Sequence, residues 1–243
     1  YENNPGKIIG YAENMAHGLK EINTVAIEEN SDIISISRIN DIVKDWSTYF
    51  DTFLGGYKRA PKFMMPVNLN FLLHYGHSQK DEAINEYVHT TLTRMAWGGI
   101  FDHVGGGYSR YSVETGKLVE GAFYVWQEKQ LREILTDNYP LFADFYSINS
   151  YGYWEEDNYV LIRDAEAKDI ANKHDLTEEA VFSTITKCLK LLKQERDKRE
   201  KPRLDDKILT SWNGLALKGL TDAYRFLGNK EYLEMAQQNA HFI

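Results

Sequence analysis

The chain has little cysteine and no long apolar run, and each of these features excludes certain classes of protein. Cys188 is the only cysteine among 243 residues, which excludes an intrachain disulfide framework and a zinc site built on cysteines. No run approaches the roughly 18 apolar residues of a membrane span, and no signal peptide is recognisable. These features are compatible with a reducing compartment, and we expect a cytoplasmic protein.

Positive charge is also scarce. The chain holds 28 Lys and Arg against 36 Asp and Glu, a formal net charge of -8. This balance argues against a nucleic acid or an anionic membrane as partner. The one basic run, from Lys187 to Arg203, is interleaved with Glu195, Asp197 and Glu200. It therefore predicts a solvated helix face.

Apolar and aromatic residues are plentiful. Hydrophobic residues make up 43% of the chain and aromatic residues 13%, enough for a sizeable core. Aromatic side chains line apolar or sugar-facing clefts, but they also fill cores. The sequence starts at Tyr1 and stops at Ile243 inside a helical pattern, so we expect a piece of a longer protein.

Apolar residues recur at i, i+3, i+4 and i+7 over much of the chain, which predicts a mainly α protein. Short extended pieces are expected at 120–126 and 159–162, and Trp212 and Leu215 are expected to be buried. The predicted helices cover 39–53, 67–75, 81–97, 127–135, 141–146, 176–199, 210–227 and 232–243.

Two pairs of these helices are separated by short turns, at 76–78 and 228–229, and so predict antiparallel hairpins. Repeated hairpins stack in a line as a solenoid or close into a ring. A solenoid has fixed repeat lengths, whereas here long, irregular, aromatic loops lie between the hairpins. We therefore predict a partial (α/α)6 toroid of helical hairpins with loops over one mouth.

A glycine-rich stretch from Trp97 to Tyr111 is the strongest candidate for a site. It places five glycines among aromatic residues and the polar Asp102, His103 and Arg110. Glycines let the backbone approach a ligand closely, and aromatic residues with a few polar groups line small-molecule sites. The alternative is a tight loop whose aromatic residues belong to the core and whose His103 bonds a backbone carbonyl.

Carboxylates beside aromatic residues are the candidates for acid or base chemistry. Two facing carboxylates can act as acid and base on a glycosidic bond. Asp205 and Asp206 precede the helix that carries Trp212, and one of them could instead cap that helix. The candidate catalytic residues are Asp102, His103, Asp205 and Asp206. The candidate ligand-binding residues are Tyr108, Arg110, Tyr111, Trp126, Trp154, Trp212 and Asn213.

No metal site and no cofactor are expected. His74 and His77 have a spacing that could suit a metal, but no third ligand is apparent. A nucleophile elbow, a phosphate-binding loop and a dinucleotide fingerprint are absent from the sequence. The glycines at 105–107 follow no predicted strand, so they do not indicate a dinucleotide loop.

Four motifs, at 55–66, 98–112, 120–126 and 203–215, resemble one family. It is the thioredoxin-domain-containing proteins of the YyaL and spermatogenesis-associated protein 20 type. The resemblance implies an N-terminal thioredoxin-like domain followed by an (α/α)6 toroid similar to six-hairpin glycosidases and N-acylglucosamine 2-epimerases.

The resemblance also implies a domain organisation. Residues 1–35 would be a helical lead-in from the thioredoxin-like domain, and 36–243 an incomplete toroid. Family members carry a long segment that is missing here near 113/114, and the last hairpins after 243 are missing too. The redox cysteines of the thioredoxin-like domain are absent, so we assign this chain no redox chemistry.

Two functions follow as expectations. The first is a carbohydrate-binding or carbohydrate-active domain, glycosidase-like or sugar-epimerase-like, that takes a small-molecule ligand such as a sugar. The second is a non-catalytic binding or scaffold module that partners the fused thioredoxin-like domain. A third, plainer expectation is a structural domain whose glycine loop is only a turn.

Overall fold

A computed structural model of the chain describes residues 5–23, 35–109, 111–112, 123–201 and 206–243, with the backbone alone at 111–112. It is mainly helical, which confirms the predicted fold class. The chain divides into two compact units. One is formed by residues 1–101 and 107–119, and the other by residues 102–106 and 120–243. The toroid and the predicted boundary at residue 35 stay predictions.

The described part of the first unit contains four helices and one pair of short strands. The strands pair antiparallel, with Lys62 opposite Ser112. In chain order the elements are α1 (Pro5–Asn23), α2 (Ile36–Ser47), β1 (Lys62–Phe63), α3 (Pro66–Gln79), α4 (Glu82–Trp97) and β2 (Tyr111–Ser112).

Helices α3 and α4 form the predicted antiparallel hairpin, but the turn lies later than expected. The sequence predicts a stop at Gly76, whereas α3 continues to Gln79. Gly76 is buried, and a Cβ there would lie 3.2 Å from Ile84 and overlap Asn85. This glycine therefore permits close packing within a helix instead of ending it. The turn is made by Lys80 at φ 55°, and Asp81 caps α4 by accepting from the Ile84 N–H.

The core of the first unit forms where α2 and the loop after it meet the hairpin. Phe50 and Tyr87 stack with ring centroids 4.0 Å apart. Tyr75 donates to Asn40 at 2.9 Å and so ties α3 to α2. The buried residues of this core are Val43, Phe50, Leu69, Leu72, Tyr75, Ile84, Tyr87 and Val88.

The core of the second unit forms around one long helix. Two short strands pair antiparallel, with Trp126 opposite Tyr159, and a short 3-10 turn at Thr136–Asn138 joins the first two helices. The elements are β3 (Trp126–Gln127), α5 (Glu128–Leu135), α6 (Tyr139–Phe145), β4 (Asn158–Tyr159), α7 (Ala167–Lys173), α8 (Glu178–Arg196), α9 (Thr210–Leu227) and α10 (Lys230–Phe242).

Helix α8 contributes one buried stripe to this core, formed by Val181, Ile185, Cys188 and Leu192. The predicted inward position of Phe182 is wrong, since its side chain is 46% exposed. Burial raises the pKa of Cys188 to about 11, so the only cysteine is a protonated thiol at neutral pH. Helix α7 was not predicted; its seven residues span only about two turns, too short a pattern to identify among the polar residues on either side.

Helices α9 and α10 form the second predicted hairpin. The bounds of α9 agree with the predicted 210–227, and Gly228 makes the turn at φ 70°. The predicted burial is wrong: α9 has no buried residue, and Trp212 and Leu215 are 70% and 66% exposed. The apolar face exists as its period predicts, but no described element covers it.

Among the described residues, no helix is both long and apolar enough to cross a membrane.

Candidate functional site

The second unit holds a buried ion pair that joins one predicted catalytic residue to the end of α8. Nη1 of Arg196 donates to both carboxylate oxygens of Asp102 at 2.8 Å. The arginine is 4% exposed, and the two residues are 94 positions apart in sequence. Both carboxylate oxygens of Asp102 are therefore engaged by one guanidinium, in the geometry of a structural ion pair.

The loop 102–106 is shaped around this pair. The Asp102 carboxylate also accepts from the Val104 N–H at 3.0 Å, and the Asp102 carbonyl accepts from the Gly106 N–H at 2.8 Å. A Cβ at Gly105 would collide with Nη2 of Arg196 and lie 2.8 Å from Oδ2 of Asp102. Gly105 is therefore required for close approach to the ion pair.

A second arginine, one turn further on, packs against a predicted ligand-binding residue. The Arg199 guanidinium lies 4.0 Å from the centre of the Trp126 ring. It donates to the carbonyls of Phe123 at 3.0 Å and Val125 at 2.8 Å. Burial and the neighbouring charge of Arg196 lower its pKa. Because Trp126 is 0% exposed and covered by Arg199, its indole is not a platform on which a sugar can stack.

Two buried donors in this cluster have no hydrogen-bond partner among the described residues: Nε1 of Trp126 and Nε of Arg196. Arg199 lines two open cavities, one of about 340 Å³ beside Trp126 and Glu195 and one of about 400 Å³ beside Phe123 and Asn158. Both volumes lie near the lower end of the range for ligand sites.

His103 lies in the same loop and is half-buried. Its ring lies 4.9 Å from the ring of Tyr146, and burial raises the pKa of that phenol. The contact places His103 against the aromatic core of the second unit. This favours the interpretation of the stretch as a packed loop over that of an open catalytic cleft.

Three predicted site residues lie in the first turn of α9 or just before it, in a different environment. Asp206 is exposed and so is Trp212. Asn213 donates to the Leu209 carbonyl at 3.0 Å and accepts at its own carbonyl from Asn239 at 3.2 Å. Asn213 therefore stabilises the α9–α10 hairpin, while Trp212 is free to contact a ligand or partner.

The other predicted residues do not join these groups. Tyr108 belongs to the first unit, where its ring lies 5.0 Å from that of Phe101. Trp154 is half-buried, and its backbone N–H donates to the Asn158 carbonyl. Tyr111 is described only by its backbone, in β2. Arg110 and Asp205 lie outside the described residues.

The sequence interpretation missed Arg196 and Arg199. Both fall in the basic run that was predicted to be a solvated face, and for these two residues that prediction is wrong; Lys187 and Lys190 are exposed as predicted. The burial of Arg196 could have been predicted from its spacing, because it continues the buried stripe four residues after Leu192. Its charge argued against burial, since arginine is rarely buried unless it is paired.

No protein-family model matches the chain. An alignment with an uncharacterized protein of Caenorhabditis elegans is 25% identical over 284 positions and covers 80% of the chain. The chain is also similar to spermatogenesis-associated protein 20. It is 26% identical to that protein of Mus musculus and 25% identical to that of Homo sapiens, again over 80% of the chain.

The chain spans little more than a third of these relatives, 39% of the nematode protein and 36% of the mammalian ones. The alignments, of 284 and 285 positions, are longer than the whole chain of 243 residues. The relatives therefore contain residues that have no counterpart here. The similarity supports a relation to the spermatogenesis-associated protein 20 group.

Proposed function

We propose that the chain is a non-catalytic binding module of a protein in the spermatogenesis-associated protein 20 family, built as part of an (α/α)6 toroid. Its partner is a protein surface, that of the thioredoxin-like domain fused to it in the full-length cytoplasmic protein. The similarity to spermatogenesis-associated protein 20 supports the family.

One observation carries the binding function: the apolar face of α9 is exposed. Trp212, Leu215 and Phe226 are 70%, 66% and 81% exposed. Exposed apolar surface of this kind marks interaction sites in folded proteins, and tryptophan is enriched among the residues that dominate binding energy. The engagement of Asp102 with Arg196 removes a principal candidate for acid–base chemistry, which favours binding over catalysis.

Titration of the chain with a purified thioredoxin-like domain of a spermatogenesis-associated protein 20 tests this function. We expect binding by calorimetry, with a blue shift of tryptophan emission as Trp212 leaves water. Trp212→Ala should weaken binding by about tenfold or more, whereas Phe182→Ala, which truncates an exposed aromatic on α8, should not. Absence of binding, or an equal loss in both variants, would contradict the proposal.

A second candidate is a carbohydrate-active or carbohydrate-binding site at the start of α9. It is favoured by the joint exposure of Asp206 and Trp212, since an indole face can stack on a sugar beside a carboxylate. Incubation with a panel of glycosides and N-acylglucosamine, followed by NMR, is the test. Conversion that Asp206→Asn abolishes would support an enzyme, and binding without conversion would support a lectin-like module. The absence of both conversion and binding would refute this candidate.

A further inference from the structure

The loop between α2 and α3 is more tightly held than a passive connection requires. Its ends pair through the Phe50–Tyr57 bridge, with the Lys58 N–H donating to the Tyr49 carbonyl at 3.0 Å. Gly55 and Gly56 adopt positive φ of 73° and 66°, and a Cβ at Gly55 would lie 2.7 Å from Cα of Thr91. The backbone can follow this path only with glycine at that position.

Side chains fix the interior of the same loop. The Asp51 carboxylate accepts from the N–H of Phe53 at 3.0 Å and of Leu54 at 2.8 Å, and it pairs with the ammonium of Lys62. Lys62 also donates to the Gly55 carbonyl at 2.8 Å. Burial would raise the pKa of Asp51, but these donors outweigh it and lower the pKa. The negative charge of Asp51 is therefore balanced inside the loop by the ammonium of Lys62.

The position of Tyr57 is fixed from a third direction. Its hydroxyl oxygen accepts from Nε1 of Trp46 at 2.9 Å and from Nδ2 of Asn68 at 3.2 Å. These donors come from α2 and α3, the helices on either side of the loop. Two hydrogen bonds to one hydroxyl hold the ring in a single orientation, so its face is preorganised before any ligand arrives.

This rigid loop forms one wall of an open cavity of about 450 Å³, lined by Tyr49, Tyr57, Lys58, Arg59, Ala60 and Pro61. The lining supplies two aromatic rings and two cations but no carboxylate. Lys58 is positioned by a 2.8 Å hydrogen bond to the Thr48 carbonyl. Arg59 is exposed, and within the described residues its guanidinium has no hydrogen bond or ion pair. The cavity is therefore cationic, although the chain as a whole carries a net charge of -8.

We propose that this cavity binds a small organic anion in which a carboxylate is joined to a flat apolar group. The guanidinium of Arg59 would take the carboxylate in a two-point hydrogen bond, and the rings of Tyr49 and Tyr57 would contact the flat group. The volume lies within the usual range for small-molecule sites. The lining residues of this site all belong to the first unit.

Calorimetry and ligand-observed NMR on the whole chain test this site, with 2-naphthoate as the probe. Acetate supplies the charge without the rings, and 2-naphthalenemethanol the rings without the charge. We expect 2-naphthoate to bind at least about tenfold more tightly than either, because a hydrogen bond to a charged group is worth about that factor. Equal affinity for the acid and the alcohol, or no binding of the acid, would overturn the proposal.

Substitutions of the lining residues test whether 2-naphthoate binds in this cavity. Arg59→Gln and Tyr49→Ala should each weaken 2-naphthoate binding by about fivefold or more. Both residues are exposed, Tyr49 by 66%, so the helical circular dichroism should be unchanged. Lys190→Gln removes an exposed cation from α8 and should leave the affinity as it is, as should Trp212→Ala. If Lys190→Gln lowers the affinity as much as Arg59→Gln, the anion responds only to general charge and the site is refuted.

Discussion

Arg196 is a charged residue of a type usually found at the surface, but here its side chain is buried in an ion pair. Its guanidinium pairs with Asp102 and lies 5.0 Å from the centre of the Phe123 ring and 5.7 Å from that of Tyr124. A charge buried to this extent is tolerated because it is paired and packed against aromatic faces. Removal of either partner would leave the other charge in a low-dielectric environment.

Gly105 leads to a prediction about the stability of the fold, because there is no room for a side chain at this position. A methyl group there would collide with Nη2 of Arg196, so Gly105→Ala must displace the arginine or the loop. We expect a loss of about 1–3 kcal/mol in the free energy of unfolding, measured by urea denaturation.

Gly219→Ala is the matched control for that substitution. Gly219 lies inside α9, and a Cβ there meets no atom within 4 Å. The alanine should stabilise the chain by about 0.5–1 kcal/mol. If both substitutions had the same sign and size, Gly105 would have no special role beside the ion pair.

The residue that sequence analysis could least anticipate is Asp102. Its position in a glycine-rich stretch beside His103 suggested chemistry. The ion pair that occupies it comes from 94 residues away, and no local pattern records such a partner. The spacing along α8 did indicate that Arg196 shares a face with Leu192, and the same reasoning with less weight on charge would have identified it.

The bounds of α9 were predictable at the scale of elements, whereas α2 ends at Ser47 instead of the predicted residue 53 and α3 continues past its predicted end. Thr210–Leu227 agrees with the prediction because an apolar period and a following glycine are local signals. Whether another element covers a helix face depends on tertiary packing and is not recorded in the local sequence. The period of α9 therefore placed Trp212 and Leu215 on one apolar face, but it could not show that no described element packs against that face.

The loop before α3 gives a prediction about acid stability. The pKa of Asp51 is lowered from 3.8 in the folded chain. The ionised form therefore stabilises the fold above a pH of about 4, and this contribution is lost as the pH falls through the folded pKa. Asp51→Asn should be about 1–2 kcal/mol less stable at neutral pH and should depend less on pH below about 4.

Urea unfolding at a series of pH values checks this behaviour. Asp41→Asn serves as the control, because Asp41 is an exposed carboxylate on the neighbouring helix α2. Its acid dependence should match that of the unsubstituted chain. An Asp51→Asn curve parallel to that of the unsubstituted chain below pH 4 would show that the carboxylate does not support the loop.

At the scale of the whole molecule, the path of the chain explains why Asp102 matters. Residues 102–106 belong to the second unit, although the residues on either side of them belong to the first. Three contacts join these five residues to the rest of the second unit: the Asp102–Arg196 ion pair, the His103–Tyr146 ring contact and the burial of Val104 in the core. Gly105 permits the close approach of the loop to Arg196.

The coupling free energy between Asp102 and Arg196 tests the central claim that Asp102 is a structural carboxylate. It is obtained from urea unfolding of the unsubstituted chain, Asp102→Asn, Arg196→Gln and the double variant. We predict a coupling of about 2 kcal/mol, since each single substitution leaves one buried group unpaired. A coupling near zero, with stability unchanged in Asp102→Asn, would contradict the account and return Asp102 to the candidates for catalysis.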